Sequence, residues 1–147
     1  MHKRLFEAVA ALLAGSLLCG AASPSAAVSQ PYLRLIPGVP AAGYFNITNV
    51  GHDPLVLTGA QSSDCGMIMM HRSSTAGGMA RMDDVSSVTI ARGQRVVFAP
   101  GGYHLMCMAA SPRLRAGGTM KITLTFGNGT TSDVTFHVVN ARGQGAR

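Results

Sequence analysis

Turn-forming sequences interrupt this chain at short intervals, and they limit its fold more than any other feature. Turn residues such as Gly, Pro and Asn occur at positions 51–54, 91–93, 100–102 and 127–129. Turn signals spaced by about 8 to 12 residues are typical of β-sandwiches and barrels. No segment between the turns keeps a helical period. The sequence therefore predicts an all-β domain built from short strands.

The strands are predicted from alternating apolar and polar residues, because successive side chains of a strand point to opposite faces. The clearest example is residues 119–126, whose inward side chains are Met120, Ile122, Leu124 and Phe126. The next strand repeats the alternation and turns His137 outward; its inward side chains are Val134, Phe136 and Val138. Both strands are therefore expected to cover one hydrophobic core.

Two further predictions concern the first half of the chain. Residues 43–49 predict a strand whose inward side chains are Phe45 and Ile47. Residues 67–71 predict another strand, and the segment 73–78, which contains Ser and Gly, is expected to be a loop.

Length and composition suit a single domain. With 147 residues, of which 47% are hydrophobic and 12% charged, the chain is long enough to bury one core without many disulfides. We therefore expect one Greek-key β-sandwich across residues 28–140. The Gly- and Arg-containing end, residues 141–147, is expected to be a disordered tail.

The N-terminus carries the pattern of a secretory signal peptide. A basic start precedes an apolar run at residues 8–18 and a group of small residues that ends near Ala27. We expect residues 1–27 to be removed on export to the periplasm, since the apolar run is too short to remain as a membrane span. Leu18 precedes Cys19 where a lipid-attachment sequence has a small residue, which argues against a lipid anchor there.

The charge pattern argues against one class of partner. Removing residues 1–27 takes Lys3, Arg4 and Glu7 from the 12 basic and 6 acidic residues, which leaves an excess of five basic side chains. These charges are scattered singly and have no interleaved aromatic residues, so nucleic-acid binding is not expected. No later segment approaches the length of a membrane span.

Methionine and histidine are concentrated in one part of the chain. Seven of the nine Met lie within residues 67–108. In the predicted strand 103–108, the alternation places His104, Met106 and Met108 on one face. Residues on either side of the predicted loop can reach the same rim. The resulting candidate site has four members: His71, Met82, His104 and Met106.

The ligand types at this site indicate a particular metal. Thioether sulfur is soft and uncharged and imidazole is borderline, so two His with two Met suit copper(I) far better than magnesium or calcium. Because these ligands include no anion, the lower oxidation state is favoured. Thioethers at an exposed rim also permit ligand exchange, which a copper carrier requires.

Packing is the competing explanation for each residue taken alone. A Met in a β-sandwich is more often core filler than a ligand, and this applies singly to Met67, Met69, Met70, Met79 and Met108. His52 and His137 are interpreted as surface residues in the same way. Two His flanked by this many thioethers are not explained by packing, so the four-residue site stands as the main hypothesis.

The spacing of the four residues resembles that of the periplasmic copper chaperone PCu(A)C family. His71 is followed after ten residues by Met82 and after twenty-one more by His104-Leu105-Met106. Residues 100–106 look like that family's most recognisable segment, and residues 43–49 resemble its early strand. The resemblance covers the chain from about residue 32 to residue 139.

This resemblance implies a cupredoxin-like fold and a function that is not enzymatic. The protein would bind copper(I) through the four residues named above. It would deliver copper to an exported acceptor such as a respiratory oxidase subunit or an assembly factor. Separately from the resemblance, we expect a monomer and allow copper(II) as a second or oxidised form. Arg72 stands where many members carry Met, so an accessory thioether would come from elsewhere; the candidates are Met69, Met70, Met79 and Met108.

The two cysteines that remain after export depart from the family motif. Cys65 and Cys107 each adjoin a predicted ligand strand, and an exported protein meets an oxidising compartment. We therefore predict a disulfide between them. A thiol-assisted site, or Cys107 as a small core residue, stays open as the alternative at this point.

Other functions are also considered. An electron-transfer cupredoxin needs a Cys thiolate on the side of the His ligands, whereas Cys107 lies on the opposite face from His104 in the predicted strand. A thiol oxidoreductase is not supported, because the chain has no Cys-x-x-Cys sequence. Copper storage, scavenging or resistance, and a structural secreted sandwich with a Met-rich core, remain as alternatives to the chaperone.

Overall fold

A computed structural model describes residues 25–145 and shows ten β-strands in that part of the chain. The strands are β1 (Ala26–Arg34), β2 (Ala41–Asn49), β3 (Leu55–Gln61), β4 (Met67–Ala76), β5 (Met79–Asp84), β6 (Val88–Ile90), β7 (Arg95–Phe98), β8 (Tyr103–Met108), β9 (Thr119–Phe126) and β10 (Thr131–Val139). Within residues 25–145 there is no helix, and thus none that could cross a membrane. The all-β prediction is confirmed.

The strands follow the order β5-β4-β8-β7-β2-β1-β10-β9-β3-β6. All neighbouring pairs are antiparallel except β1 with β10 and β7 with β8. The first half of β2 pairs with β8 and its second half with β7. This branching places β2 at the centre of the half of the fold that carries the candidate site.

The sheet folds back on itself to enclose the core. Phe45 on β2 and Phe136 on β10 are separated by one strand in the sheet order, a distance of about 9 to 10 Å in a flat sheet. Their ring centroids are only 5.7 Å apart. The sulfurs of Cys65, next to β4, and Met120 on β9 are 3.8 Å apart although those strands lie far apart in the order. The two halves therefore face each other as a sandwich.

The predicted core faces of β9 and β10 are confirmed. Seven inward side chains are buried: Met120, Ile122, Leu124, Phe126, Val134, Phe136 and Val138. His137 between them is exposed, as the alternation predicts. Period-two patterning is reliable here because one face of each strand meets the core and the other meets water.

The structure differs from the prediction at β2, where the alternation turned only Phe45 and Ile47 inward. Tyr44 and Asn46 are buried as well. The Tyr44 ring packs 5.2 Å from that of Tyr32 on β1, and the Asn46 amide donates a hydrogen bond to the Gln30 side chain at 2.7 Å. A central strand with both faces covered has no solvent side to mark its register.

The predicted loop at residues 73–78 is wrong. β4 continues to Ala76, and β5 begins at Met79. Gly77 and Gly78 connect them with φ values of +61° and +80°. Two successive residues with positive φ form the tight turn that suits a hairpin, and Gly adopts it without a steric penalty. The Ser and Thr residues before the turn are therefore strand residues.

The domain ends also differ in detail from the prediction. β1 begins at Ala26, two residues before the expected start of the domain, and its Ala26 side chain is buried. The expected tail begins as a turn, because the Asn140 side chain accepts hydrogen bonds from the backbone N–H groups of Arg142 and Gln144. The signal-peptide prediction, apart from residues 25–27, and Cys19 lie outside the described residues.

Candidate metal centre

The pairing of β4 with β8 brings the two predicted His ligands together. His71 lies directly opposite His104, and Met69 lies directly opposite Met106. Directly opposed residues on antiparallel strands have Cβ atoms about 4.5 to 5.5 Å apart and share a face. The two imidazole rings meet edge to face with centroids 5.7 Å apart. Two nitrogen donors and a thioether pair thus adjoin each other on one surface.

This surface is the outer face of the sheet. The other face of β8 carries Leu105 and Cys107, which lie in the hydrophobic core with Met70 of β4. Nevertheless, His71 and His104 are only 7% and 5% exposed. Buried imidazoles outside the hydrophobic core require polar or metal partners, because an unsatisfied buried polar group costs about 1 to 3 kcal/mol.

His104 has one such partner. Its Nδ1 lies 3.1 Å from the backbone carbonyl oxygen of Gly102, in the turn that leads into β8. An Nδ1–H group that donates to this carbonyl places the lone pair on Nε2. Fixing the tautomer of a His ligand through its second nitrogen is common at metal sites. His104 is therefore oriented for coordination through Nε2.

His71 lacks a hydrogen bond at either ring nitrogen, and both nitrogens are buried. Its Nε2 lies 2.9 Å from Oδ1 of Asp84, but the approach does not have the direction of a hydrogen bond. The Asp84 carboxylate is thus a close polar neighbour of Nε2, whereas Nδ1 has no hydrogen-bond partner. The imidazole keeps a nitrogen that is free to bind a metal.

The hairpin adds β5 to this face. Asp84 lies opposite His71, and Met82 lies opposite Ser73, one alternation step farther along β4. Because residues two apart share a face, Met82 and Asp84 flank His71 together. Met82 is 54% exposed. The structure therefore brings all four predicted residues to one sheet face, with Met82 at its open side.

Asp84 was missed by the sequence analysis, which described a donor set without an anion. Its side chain is 82% exposed and reaches the site from the solvent side. The sequence feature that could have identified Asp84 is its spacing of two residues from Met82. This spacing places both side chains on one face only if residues 79–84 form a strand. The sequence analysis predicted a loop up to residue 78 and did not pair this segment with His71.

An aromatic and cationic group borders the His104 side of the face. The rings of Tyr44 and His104 are 6.3 Å apart, and the guanidinium carbon of Arg34 lies 5.8 Å from the Tyr44 ring centroid. Burial raises the pKa of the Tyr44 hydroxyl above 10.0, although the Arg34 charge acts in the opposite direction. Tyr44 is therefore neutral at physiological pH.

Comparisons with known proteins identify the family of this chain. The model of the family described as "Putative lipoprotein LpqE-like" matches residues 26–138, most of the chain. This chain belongs to the LpqE-like family. A relative named "Putative lipoprotein Lxx21020", from Leifsonia xyli subsp. xyli (strain CTCB07), is 29% identical to it over 147 residues. The match covers 92% of the LpqE-like chain and 89% of the relative.

Solved structures share the fold of this LpqE-like protein. The copper-bound PCuAC domain of PmoF2 has a TM-score of 0.67 and 22% identity, covering 82% of this chain and 97% of that domain. Copper(I)-bound DR1885 from Deinococcus radiodurans has a TM-score of 0.64 and 30% identity, covering 82% of this chain and 81% of that one. These likenesses confirm the predicted cupredoxin-like sandwich.

The predicted accessory methionines of the LpqE-like protein fall into two groups. Met69 and Met108 are on the same face as His71 and His104. Met70 points the other way and is buried in the core opposite Leu105. Met79 pairs with Ala76 at the hairpin end. Ala76 lies five residues after His71, so Met79 is about 16 Å from His71 along the strand direction. Met70 and Met79 are therefore not placed to assist the site.

Cys65 and Cys107 form a disulfide, and their Cα atoms are 5.5 Å apart. A disulfide provides no thiolate, so the structure does not support a thiol-assisted metal site. The thiolate that an electron-transfer cupredoxin needs is absent from the described residues for the same reason. Within residues 25–145, no three His, Cys, Asp or Glu side chains form a metal-binding group.

The disulfide is expected to stabilise the ligand strands. It spans 42 residues, and closing a loop of that size restricts the unfolded chain by about 2 to 4 kcal/mol. Replacing both Cys65 and Cys107 by Ala should lower the free energy of unfolding by that amount, measured by urea denaturation. Under reducing conditions the difference between the wild type and the variant should become small. Two titratable thiols per chain in denatured, unreduced protein would contradict the bond.

Proposed function

We propose that this protein binds one copper(I) ion through His71, Met82, His104 and Met106 and carries it to another protein. The observation that supports this most directly is the His71–His104 pair. Two buried imidazoles lie opposite each other, one without any hydrogen bond and the other oriented by the Gly102 carbonyl. A bound cation would use both lone pairs and remove the cost of their burial.

The donor set supports copper(I) as the cargo. Imidazole and thioether ligands together suit a soft monovalent cation, whereas zinc prefers thiolate, imidazole or carboxylate and the hard divalent ions prefer oxygen ligands. DR1885, which is 30% identical to this protein, has a solved copper(I)-bound form. The PmoF2 domain, whose fold this chain shares, has a copper-bound form.

Asp84 is proposed to act on the site through its charge. Its carboxylate lies 2.9 Å from Nε2 of His71 and offsets part of the positive charge of an arriving cation. Because Asp84 is largely exposed, this charge is screened by water and weaker than that of a buried anion. The neutral ligands would therefore still favour copper(I).

The position of the proposed ligands favours a copper carrier over an enzyme. Met82 is exposed on the outermost strand of the sheet order, β5, so an incoming ligand can replace it without opening the core. The deeper His71 and His104 would release the ion last. The expected acceptor is an exported copper protein, such as the copper centre of cytochrome c oxidase or a factor that assembles it.

The start of β1 favours processing of the exported chain before Ser25 rather than after Ala27. The Ser25 carbonyl accepts a hydrogen bond from the Val50 N–H at 2.9 Å, and Ala26 pairs with Asn49. Cleavage after Ala27 would remove these contacts and one buried side chain. The relative's name describes a lipoprotein, whereas Leu18 argued against an anchor at Cys19.

Copper(I) affinity should depend on the four proposed ligands. Replacing His104 and Met106 together by Ala should weaken copper(I) binding at least tenfold, or about 1.4 kcal/mol, because two donors are lost. The measurement is a titration against a chromogenic copper(I) chelator. His52→Ala, an exposed turn residue, is the matched control and should retain the wild-type affinity. An unchanged affinity in the double variant would refute the site.

Copper transfer should depend on the acceptor. The copper(I)-loaded protein is mixed with the copper-free soluble domain of an oxidase subunit or with an assembly factor, and the metal is followed after separation. The transfer rate should rise with acceptor concentration, because ligand exchange proceeds through a complex. Loss only at the rate of spontaneous dissociation, or copper retained against a tighter acceptor, would indicate storage or scavenging instead.

The mature N-terminus should lie at or before Ser25. The full-length chain is expressed in a bacterial host, and the mass of the exported protein is measured. A mass that corresponds to acylated Cys19 would show a lipid anchor, and an unmodified N-terminus between residues 20 and 25 would show export without an anchor; both leave β1 complete. A chain that begins at Val28 would contradict the expected processing.

A further inference from the structure

Four methionines form two successive cross-strand pairs beside the His pair. Met69 faces Met106, and Met67 faces Met108. Each of the four lies two or four residues from His71 or His104 along its strand, so all share the outer face of the sheet with these histidines. We call Met67, Met69, Met106 and Met108 the methionine ladder. It continues the line of the proposed copper site for two further rungs along β4 and β8.

Core packing does not explain the ladder. The buried methionines Met70 and Met120 belong to the hydrophobic core, whereas the ladder lies on the opposite face of β4 and β8. Met67 is 59% exposed, and the other three are partly buried. Single exposed apolar residues are common on protein surfaces, but thioethers aligned in two opposing pairs form a concentrated soft-ligand surface.

The end of the ladder is structurally fixed. Gly66 donates its N–H to the carbonyl oxygen of Met108 at 2.9 Å, which extends the pairing past the last rung. On the core face, the disulfide joins Cys107, between Met106 and Met108, to Cys65, two residues before Met67. A covalent bond and a backbone hydrogen bond thus hold the Met67 and Met108 backbones opposite each other.

The distances suit a shared ion. Opposed Cβ atoms are about 4.5 to 5.5 Å apart, and successive rungs are separated by about 6.6 Å along the strand. Met has three rotatable bonds and a polarizable sulfur, so the thioethers of neighbouring rungs can converge on one cation. With Met106 assigned to the His site, three thioethers remain, which is a sufficient set for a soft monovalent ion.

We propose that Met67, Met69 and Met108 form a second, weaker binding site for copper(I). It lacks imidazole, so it fills after the His site. An ion there lies one rung from the His site, with Met69 facing Met106 across the strands. Copper would therefore bind transiently at the ladder before it enters the His site or after it leaves that site. This proposal rests on copper(I) binding at the His site but not on delivery of that copper to an acceptor.

The test is a copper(I) titration of the disulfide-bonded protein, followed by NMR of methionine methyl groups labelled with carbon-13. The first equivalent should shift the Met82 and Met106 signals. A second equivalent should then shift Met67, Met69 and Met108, while the core residue Met120 stays unchanged. Binding of one equivalent only, or a second equivalent that leaves the Met67 and Met108 signals in place, would overturn the proposal.

Variants separate this site from the His site. Met67→Leu with Met108→Leu conserves volume and should abolish the second equivalent while the first keeps its affinity. Met79→Leu, which changes an exposed methionine away from the ladder, should bind both. His71→Ala with His104→Ala should lose the first equivalent and still shift the ladder signals. A second equivalent that persists in the Met67, Met108 variant would refute the ladder site.

Discussion

The antiparallel register of β4 with β8 is the constraint on which the candidate site depends. Side chains alternate with a period of two, so a slip of one residue would turn His71 into the core and Met70 out to solvent. Several interactions oppose such a slip. Met70, Leu105 and Cys107 are buried on the core face, and the disulfide to Cys65 joins the two strands near their end. Hydrophobic packing on one face therefore sets the positions of the ligands on the other.

The site is organised at some cost to the apo protein. His71 is buried with neither ring nitrogen hydrogen-bonded, and a buried polar group in that state opposes folding. The well-packed sandwich tolerates this because the rest of the fold is consistent with its sequence, and local departures of this kind concentrate at functional sites. The Gly102 carbonyl orients the His104 ring, and the largely exposed Asp84 lies beside the His71 ring.

Sulfur has two separate roles in this fold. The cysteine sulfurs are joined on the core face and stabilise the strands, whereas the methionine sulfurs on the outer face stay available as neutral ligands. This separation distinguishes the protein from an electron-transfer cupredoxin, in which a thiolate binds the metal directly. Thioethers, unlike thiols, do not form disulfides, so the methionine sulfurs stay free when the cysteines are oxidised.

The sequence by itself determined the all-β class, the core faces of β9 and β10, and the common face of His104 and Met106, because period-two alternation is a local property. It did not determine that His71 faces His104, that Asp84 adjoins His71, or that Met69 and not Met70 lies beside the site. The sequence pattern also predicted a loop at residues 73–78. The hairpin there was not predicted, because it depends on the pairing of β4 with β5. These features depend on the cross-strand register, which is set by contacts between residues far apart in the chain.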